Sequence, residues 1–80
     1  MFHKAIDLKF SDGTSLEVTF DDGSVKIYDV KTLFSKYPQL QALENRSLFL
    51  QGKLIGNYGI IWNDDLDIET ETIYNDGKDK

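Results

Sequence analysis

One histidine, no cysteine and a run of carboxylates are what this 80-residue sequence offers to chemistry. A hydroxyl nucleophile needs a base in reach. His3 stands beside a terminus expected to fray, so the Ser and Thr hydroxyls have no evident activating partner. Without thiolates, neither a cysteine zinc site nor a disulfide framework is available. Paired carboxylates do acid–base work when one of them is buried and its pKa raised. Asp64, Asp65 and Asp67 are close in sequence, but nothing marks one for burial. A calcium loop starting at Asp65 would use Asp67, Glu69 and, at its twelfth position, Asp76. Thr70 occupies the place where glycine makes that loop's sharp turn, and Leu66 and Ile68 alternate with the acids as in a segment pinned to a core. The expectation is a protein that is not an enzyme and needs no metal or cofactor.

Phosphate and nucleic-acid chemistry is not indicated either. Gly52, Gly56 and Gly59 match neither a dinucleotide fingerprint nor a P-loop, and Tyr28, Tyr58 and Trp62 are not interleaved with a basic cluster. An apolar pocket for a small molecule, between a helical lid and a second hairpin and lined by Phe34, Tyr37, Phe49 and Trp62, is the alternative, although a core this small needs those residues.

Charge placement is more telling than the net charge of −5. Up to Asn63, seven acidic groups (Asp7, Asp12, Glu17, Asp21, Asp22, Asp29, Glu44) cancel seven basic ones (Lys4, Lys9, Lys26, Lys31, Lys36, Arg46, Lys53). Beyond it, Asp64, Asp65, Asp67, Glu69, Glu71, Asp76 and Asp79 face only Lys78 and Lys80. Such a segment repels phosphate backbones and attracts basic partners; it also serves simply to keep a small protein soluble. Asp64, Asp65, Glu69 and Glu71 are the candidate partner-binding residues.

The elements that would position these residues follow from periodicity. With 40% hydrophobic and 29% charged residues, the composition is that of a globular domain, and a chain of this length buries roughly 60–65% of its unfolded surface. One α+β domain over residues 1–77, with 78–80 as a disordered tail, is expected. The start lacks a signal-like apolar run and no stretch approaches a membrane span, so a cytoplasmic location is expected. Asn45-Arg46-Ser47 fits the glycosylation pattern by chance.

Ile6, Leu8, Phe10, Leu16, Val18, Phe20, Val25 and Ile27 alternate with polar residues across Asp12-Gly13 and Asp22-Gly23, which predicts a three-stranded antiparallel meander with two-residue turns and that apolar set inside. From Asp29, placed as a helix cap, Val30, Leu33, Phe34 and Tyr37 follow helical spacing. Pro38 breaks the segment, which resumes with Leu40 and Leu43 inward. Ser47 to Tyr58 reads as a strand and turn, with Leu48, Leu50 and Leu54 on one face. The return strand, with Tyr58, Ile60 and Trp62 on one side and Ile61 on the other, is apolar on both faces, as at a covered strand or an oligomer interface. Gly59 suggests a bulge or a close backbone approach. A short helical turn ends the fold, capped by Asp67, with Ile68, Ile73 and Tyr74 returning to the core.

From Gly59 through Trp62 and Asp67 to Tyr74, the sequence resembles the C-terminal signature of the bacterial family named domain of unknown function 2442, a G-x-x-W strand leading to D-[LI]-x-x-[DE]-x-[LI]-[YW]. Phe20-Asp21-Asp22-Gly23, Asp29, Leu33-Phe34 and the Pro38…Leu43…Phe49 series are similar to the same family upstream. Where many members have W-P-N-G-A-D, this chain has Trp62-Asn63-Asp64-Asp65-Leu66-Asp67, a more acidic turn. The resemblance implies a small α+β domain with Gly59, Trp62, Asp67 and Tyr74 as structural signature and no established activity. Some members are fused to a DNA-binding helix-turn-helix, for which this chain has no room. Others are encoded beside a second small family in what looks like a toxin–antitoxin pair. Carried over, this implies binding to another protein, and the acidic segment would suit a small basic, RNA-directed toxin.

Overall fold

A computed structural model describes residues 2–80. Two antiparallel sheets share one core. The first has the order β1 (Ala5–Phe10), β2 (Ser15–Phe20), β3 (Val25–Asp29), β7 (Lys78–Asp79); the second is β4 (Lys53–Ile55), β5 (Gly59–Asn63), β6 (Leu66–Glu69). Between them run two 3₁₀ helices, Val30–Leu33 and Pro38–Glu44, and a four-residue helix α1 (Arg46–Phe49), while α2 (Thr70–Asp76) links β6 to β7. The expected α+β class, the meander and the break at Tyr37-Pro38 are all present.

The meander is tied by loops containing Gly13 and Gly23, both with positive φ. The second loop holds three residues, since Phe20 N–H donates to Ser24 O at 2.8 Å and Thr19 pairs with Val25. A two-residue turn would have aligned Val18 with Ile27. The extra residue shifts the register by one and exchanges the faces of β3, so Tyr28 and Lys26 lie on the core side, opposite Leu16 and Val18, and Val25 and Ile27 stay half-exposed on the other side. A bulge at the start of β1 likewise sets Ala5, not Ile6, opposite Phe20, leaving Ile6 56% exposed.

The helical lid follows its periodicity in part. Asp29 caps the first 3₁₀ helix, its carboxylate accepting from Lys31 N–H at 3.0 Å, and Val30, Phe34, Leu40 and Leu43 are buried. Tyr37 ends outside, because the turn before Pro38 carries it away from the sheet. The strand expected from Ser47 is instead α1 and the turn after it. Asn45 Oδ1 accepts from Leu48 N–H at 3.2 Å, a local cap that competes with strand pairing, and the turn drives Phe49 fully into the core. Arg46 then anchors the first meander loop, its Nη1 donating to Ser11 O and Gly13 O at 2.8 and 2.7 Å.

Phe49 also receives the signature tryptophan. Trp62, 7% exposed, lies nearly parallel to the Phe49 ring and donates its indole N–H to Phe49 O at 2.8 Å. The close backbone approach expected at Gly59 occurs at Gly52 instead: a Cβ there would stand 2.5 Å from Trp62 Nε1, whereas at Gly59 it would make ordinary contact. Gly59 simply opens β5.

The C-terminal residues are not a disordered tail. Lys78 and Asp79 pair with Ile27 and Lys26, and Lys80 N–H donates to Val25 O at 3.0 Å. Side chains reinforce the pairing, Lys26 with Asp79 and Lys80 with Glu17. The unpaired edge of β3 supplied the hydrogen-bonding row that a reading by composition overlooks.

A candidate interaction surface

Strand alternation divides the acidic segment. In β6, Leu66 and Ile68 are buried while Asp67 and Glu69 face solvent, with Asp64 and Asp65 exposed in the preceding turn. Asn63 Oδ1 shapes that turn by accepting from Asp65 N–H at 2.9 Å. Asp67 is therefore not a cap. It sits within the strand, opposite Ile61, and α2 begins after Glu69, which makes no side-chain capping bond. The alternation of Leu66 and Ile68 with acids already spelled a strand, and the β5–β6 pairing takes the backbone groups that a cap would have served.

Asp67 and Glu69 thus share one face of β6 about 7 Å apart, with Asp64 and Asp65 in the turn that leads into it. None of Asp64, Asp65, Asp67 and Glu69 is in an ion pair among the described residues. An arrangement of this kind holds its charges apart rather than converging them on a point. Among the described residues no group of three or more His, Cys, Asp or Glu side chains is placed to hold a metal ion.

Glu71 has a different role from Asp64, Asp65 and Glu69. His3 N–H donates to its Oε1 at 2.9 Å, and His3 Nδ1 lies 3.0 Å from Oε2. These bonds, the backbone N–H first, hold the Glu71 carboxyl below the usual range. The imidazole of His3 stacks on Tyr74 at 3.6 Å, and Tyr74 O–H donates to Asp22 Oδ2 at 2.6 Å while its ring meets Phe20 edge-on. The hydroxyl, with Ser24 N–H behind it, pulls the Asp22 carboxyl down to about 2, and the same bond raises the Tyr74 hydroxyl. Glu71 and Tyr74 therefore clasp the chain's start and the β2–β3 loop to α2, a pairing across nearly the full sequence that no local pattern signals.

Two surface cavities border β6. One, about 330 Å³, lies between β6 and the lid, lined by Leu33, Tyr37, Gln39, Leu40, Asp67, Ile68, Glu69 and Thr72. Of the pocket residues expected from sequence only Tyr37 lines it; Phe34, Phe49 and Trp62 are packed in the core. Leu33 and Leu40 carry helical core spacing, so nothing in the sequence distinguishes them. The other cavity, about 290 Å³, is lined by Phe2, Tyr58, Glu69 and Glu71, with the two aromatic rings 6.2 Å apart. Phe2 and Tyr58 are exposed apolar side chains, as are Ile6 in β1 and Ile55 in β4. Among the described residues no helix is long and apolar enough to cross a membrane.

Comparison with known proteins agrees with this architecture's sequence signature. The family described as "Protein of unknown function (DUF2442)" matches residues 5–79, nearly the whole chain, and the chain belongs to that family. No curated protein and no solved structure matches it.

Proposed function

We propose that this member of a family without assigned function is a non-catalytic protein-binding module that takes a small basic protein against the β5–β6 turn and β6. The observation that carries the reading is the solvent-facing set Asp64, Asp65, Asp67 and Glu69, none of which is neutralised by an ion pair among the described residues. A localised field of one sign steers an oppositely charged partner and fixes its register more than it adds affinity. Glu71, named with this surface on sequence grounds, belongs to the clasp instead. The antitoxin-like role implied by the family resemblance, a cytoplasmic setting and the absence of catalysis are parts of the same proposal. Native mass spectrometry of protein purified from its source at low salt tests it. The expected result is a complex with a basic protein that dissociates as salt is raised and is weakened by Asp64→Asn with Asp65→Asn. A partner insensitive to both would overturn the electrostatic reading.

A second reading rests on the cavity of about 330 Å³ beside the lid, at the lower end of ordinary ligand-site volumes. Under it the chain binds a small molecule, and Tyr37→Ala would abolish that binding without affecting capture of a basic protein.

A further inference from the structure

We infer that β6 is a site of strand addition: an extended basic segment of the partner lies along its free edge as a fourth strand of the second sheet, in the pattern basic, apolar, basic. The inference rests on the protein-binding reading above and adds the backbone as its main recognition element.

β6 is the last strand of its sheet and pairs only with β5. The direction of its backbone groups follows from the register. Glu69 lies opposite Gly59, Ile68 opposite Ile60 and Asp67 opposite Ile61, and Thr70 N–H, one step further on, donates to Tyr58 O at 3.1 Å. Bonded and non-bonded pairs alternate in an antiparallel ladder, so Tyr58/Thr70 and Ile60/Ile68 are the bonded pairs. Asp67 and Glu69 occupy the non-bonded positions, whose backbone groups point away from β5. The Glu69 carbonyl, at the start of α2, is used by the helix's first turn. Asp67 N–H, Asp67 C=O and Glu69 N–H are left along the free edge, and none has a partner from a turn, loop or cap among the described residues.

Side chains on both sides of this edge suit one kind of occupant. A residue placed opposite Asp67 shares its outer face, as does the one opposite Glu69 two positions away, and a lysine or arginine at each meets a carboxylate. The residue between them, opposite Ile68, points inward, toward the cavity of about 330 Å³ lined by Leu33, Tyr37, Leu40 and Ile68. A second copy of β6 is disfavoured, because pairing the two edges would bring carboxylates face to face. The Lys36 ammonium lies 5.5 Å from the ring centroid of Tyr37, and Lys36 is in no ion pair with Asp67 or Glu69 among the described residues.

The test is calorimetry at low salt with the peptide acetyl-Lys-Val-Lys-Val-Lys-Val-Lys-amide and two derivatives, one N-methylated at the lysines and one at the valines. In an added strand, alternate residues direct their N–H groups to β6 and the others direct them away. One methylated derivative is therefore expected to lose about tenfold or more in affinity, the loss of one or two backbone bonds, and the other to bind within about twofold of the parent. Asp67→Asn with Glu69→Gln, checked by circular dichroism for an unchanged fold, is expected to weaken the parent peptide. If both derivatives bind like the parent while the neutralised variant binds weakly, strand addition is overturned and the charge-based reading stands. If the parent peptide does not bind although a basic partner is found by native mass spectrometry, strand addition is overturned on its own. Loss of binding with either methylation equally would also overturn it.

Discussion

Packing of Trp62 against the Gly52 backbone makes a double-mutant cycle that isolates one contact. An added Cβ at Gly52 would lie 2.5 Å from Trp62 Nε1 and 2.7 Å from Cε2, well inside any real contact distance, and the indole is held by Phe49 O and the Phe49 ring. Gly52→Ala must therefore displace the indole or the α1–β4 turn, an overpacking change costing typically about 1–3 kcal/mol. Trp62→Leu removes both ring atoms that clash, and leaves the Phe49 carbonyl without its donor, for about 2–4 kcal/mol. Because the Gly52 clash is made with those two atoms, the double variant should be less destabilised than the sum of the singles, by roughly 0.5–3 kcal/mol, the range for residues in direct contact. Urea unfolding followed by far-ultraviolet circular dichroism measures all four proteins without depending on the tryptophan signal. For a domain of this size total stability is about 4–12 kcal/mol, so each single change is readable. Additive effects within about 0.3 kcal/mol would refute the contact as the reason for glycine at this position.

Trp62→Ala should cost about 3–5 kcal/mol, seen as a lowered urea midpoint. Asp67→Ala should change stability by less than about 0.5 kcal/mol, as for an exposed strand residue; a loss of 1–2 kcal/mol would restore a capping role. Thr70 is fully buried with a hydroxyl that has no hydrogen-bond partner among the described residues, so Thr70→Val should be neutral or stabilising in the same melts. Asp22 ionises more readily when folded than unfolded, so its bond to Tyr74 contributes stability above about pH 4 that is lost as pH falls toward 2; Tyr74→Phe should bring the Asp22 carboxyl back toward its ordinary range in a carbon-detected NMR titration, and an unmoved midpoint would contradict the clasp.

Alternation and capping patterns made the meander, the Asp29 cap, the break at Pro38 and the burial of Trp62 legible, because each is set by neighbours within a few residues. Loop length was not: Asp22-Gly23 fits a two- or a three-residue hairpin, and the difference exchanges the faces of β3. Local capping by Asn45 turned an apparent strand into α1. In the acidic segment, residue type marked the surface correctly for Asp64, Asp65 and Glu69, all exposed, but could not separate Glu71, whose partner is His3, or Asp67, whose surroundings are set by pairing with β5. Long-range partners of that kind carry no signature in one sequence.

The central claim, that a basic protein docks on the β5–β6 turn and β6, is tested most directly by NMR chemical-shift mapping. The isotope-labelled chain would be titrated with the partner recovered at low salt. The expected footprint covers the amides of residues 64–69 together with those of Leu33 to Leu40 beside the groove, and it fades as salt is raised. A footprint centred on Phe2, Ile6, Ile55 and Tyr58, with the β6 amides unmoved, would contradict the account.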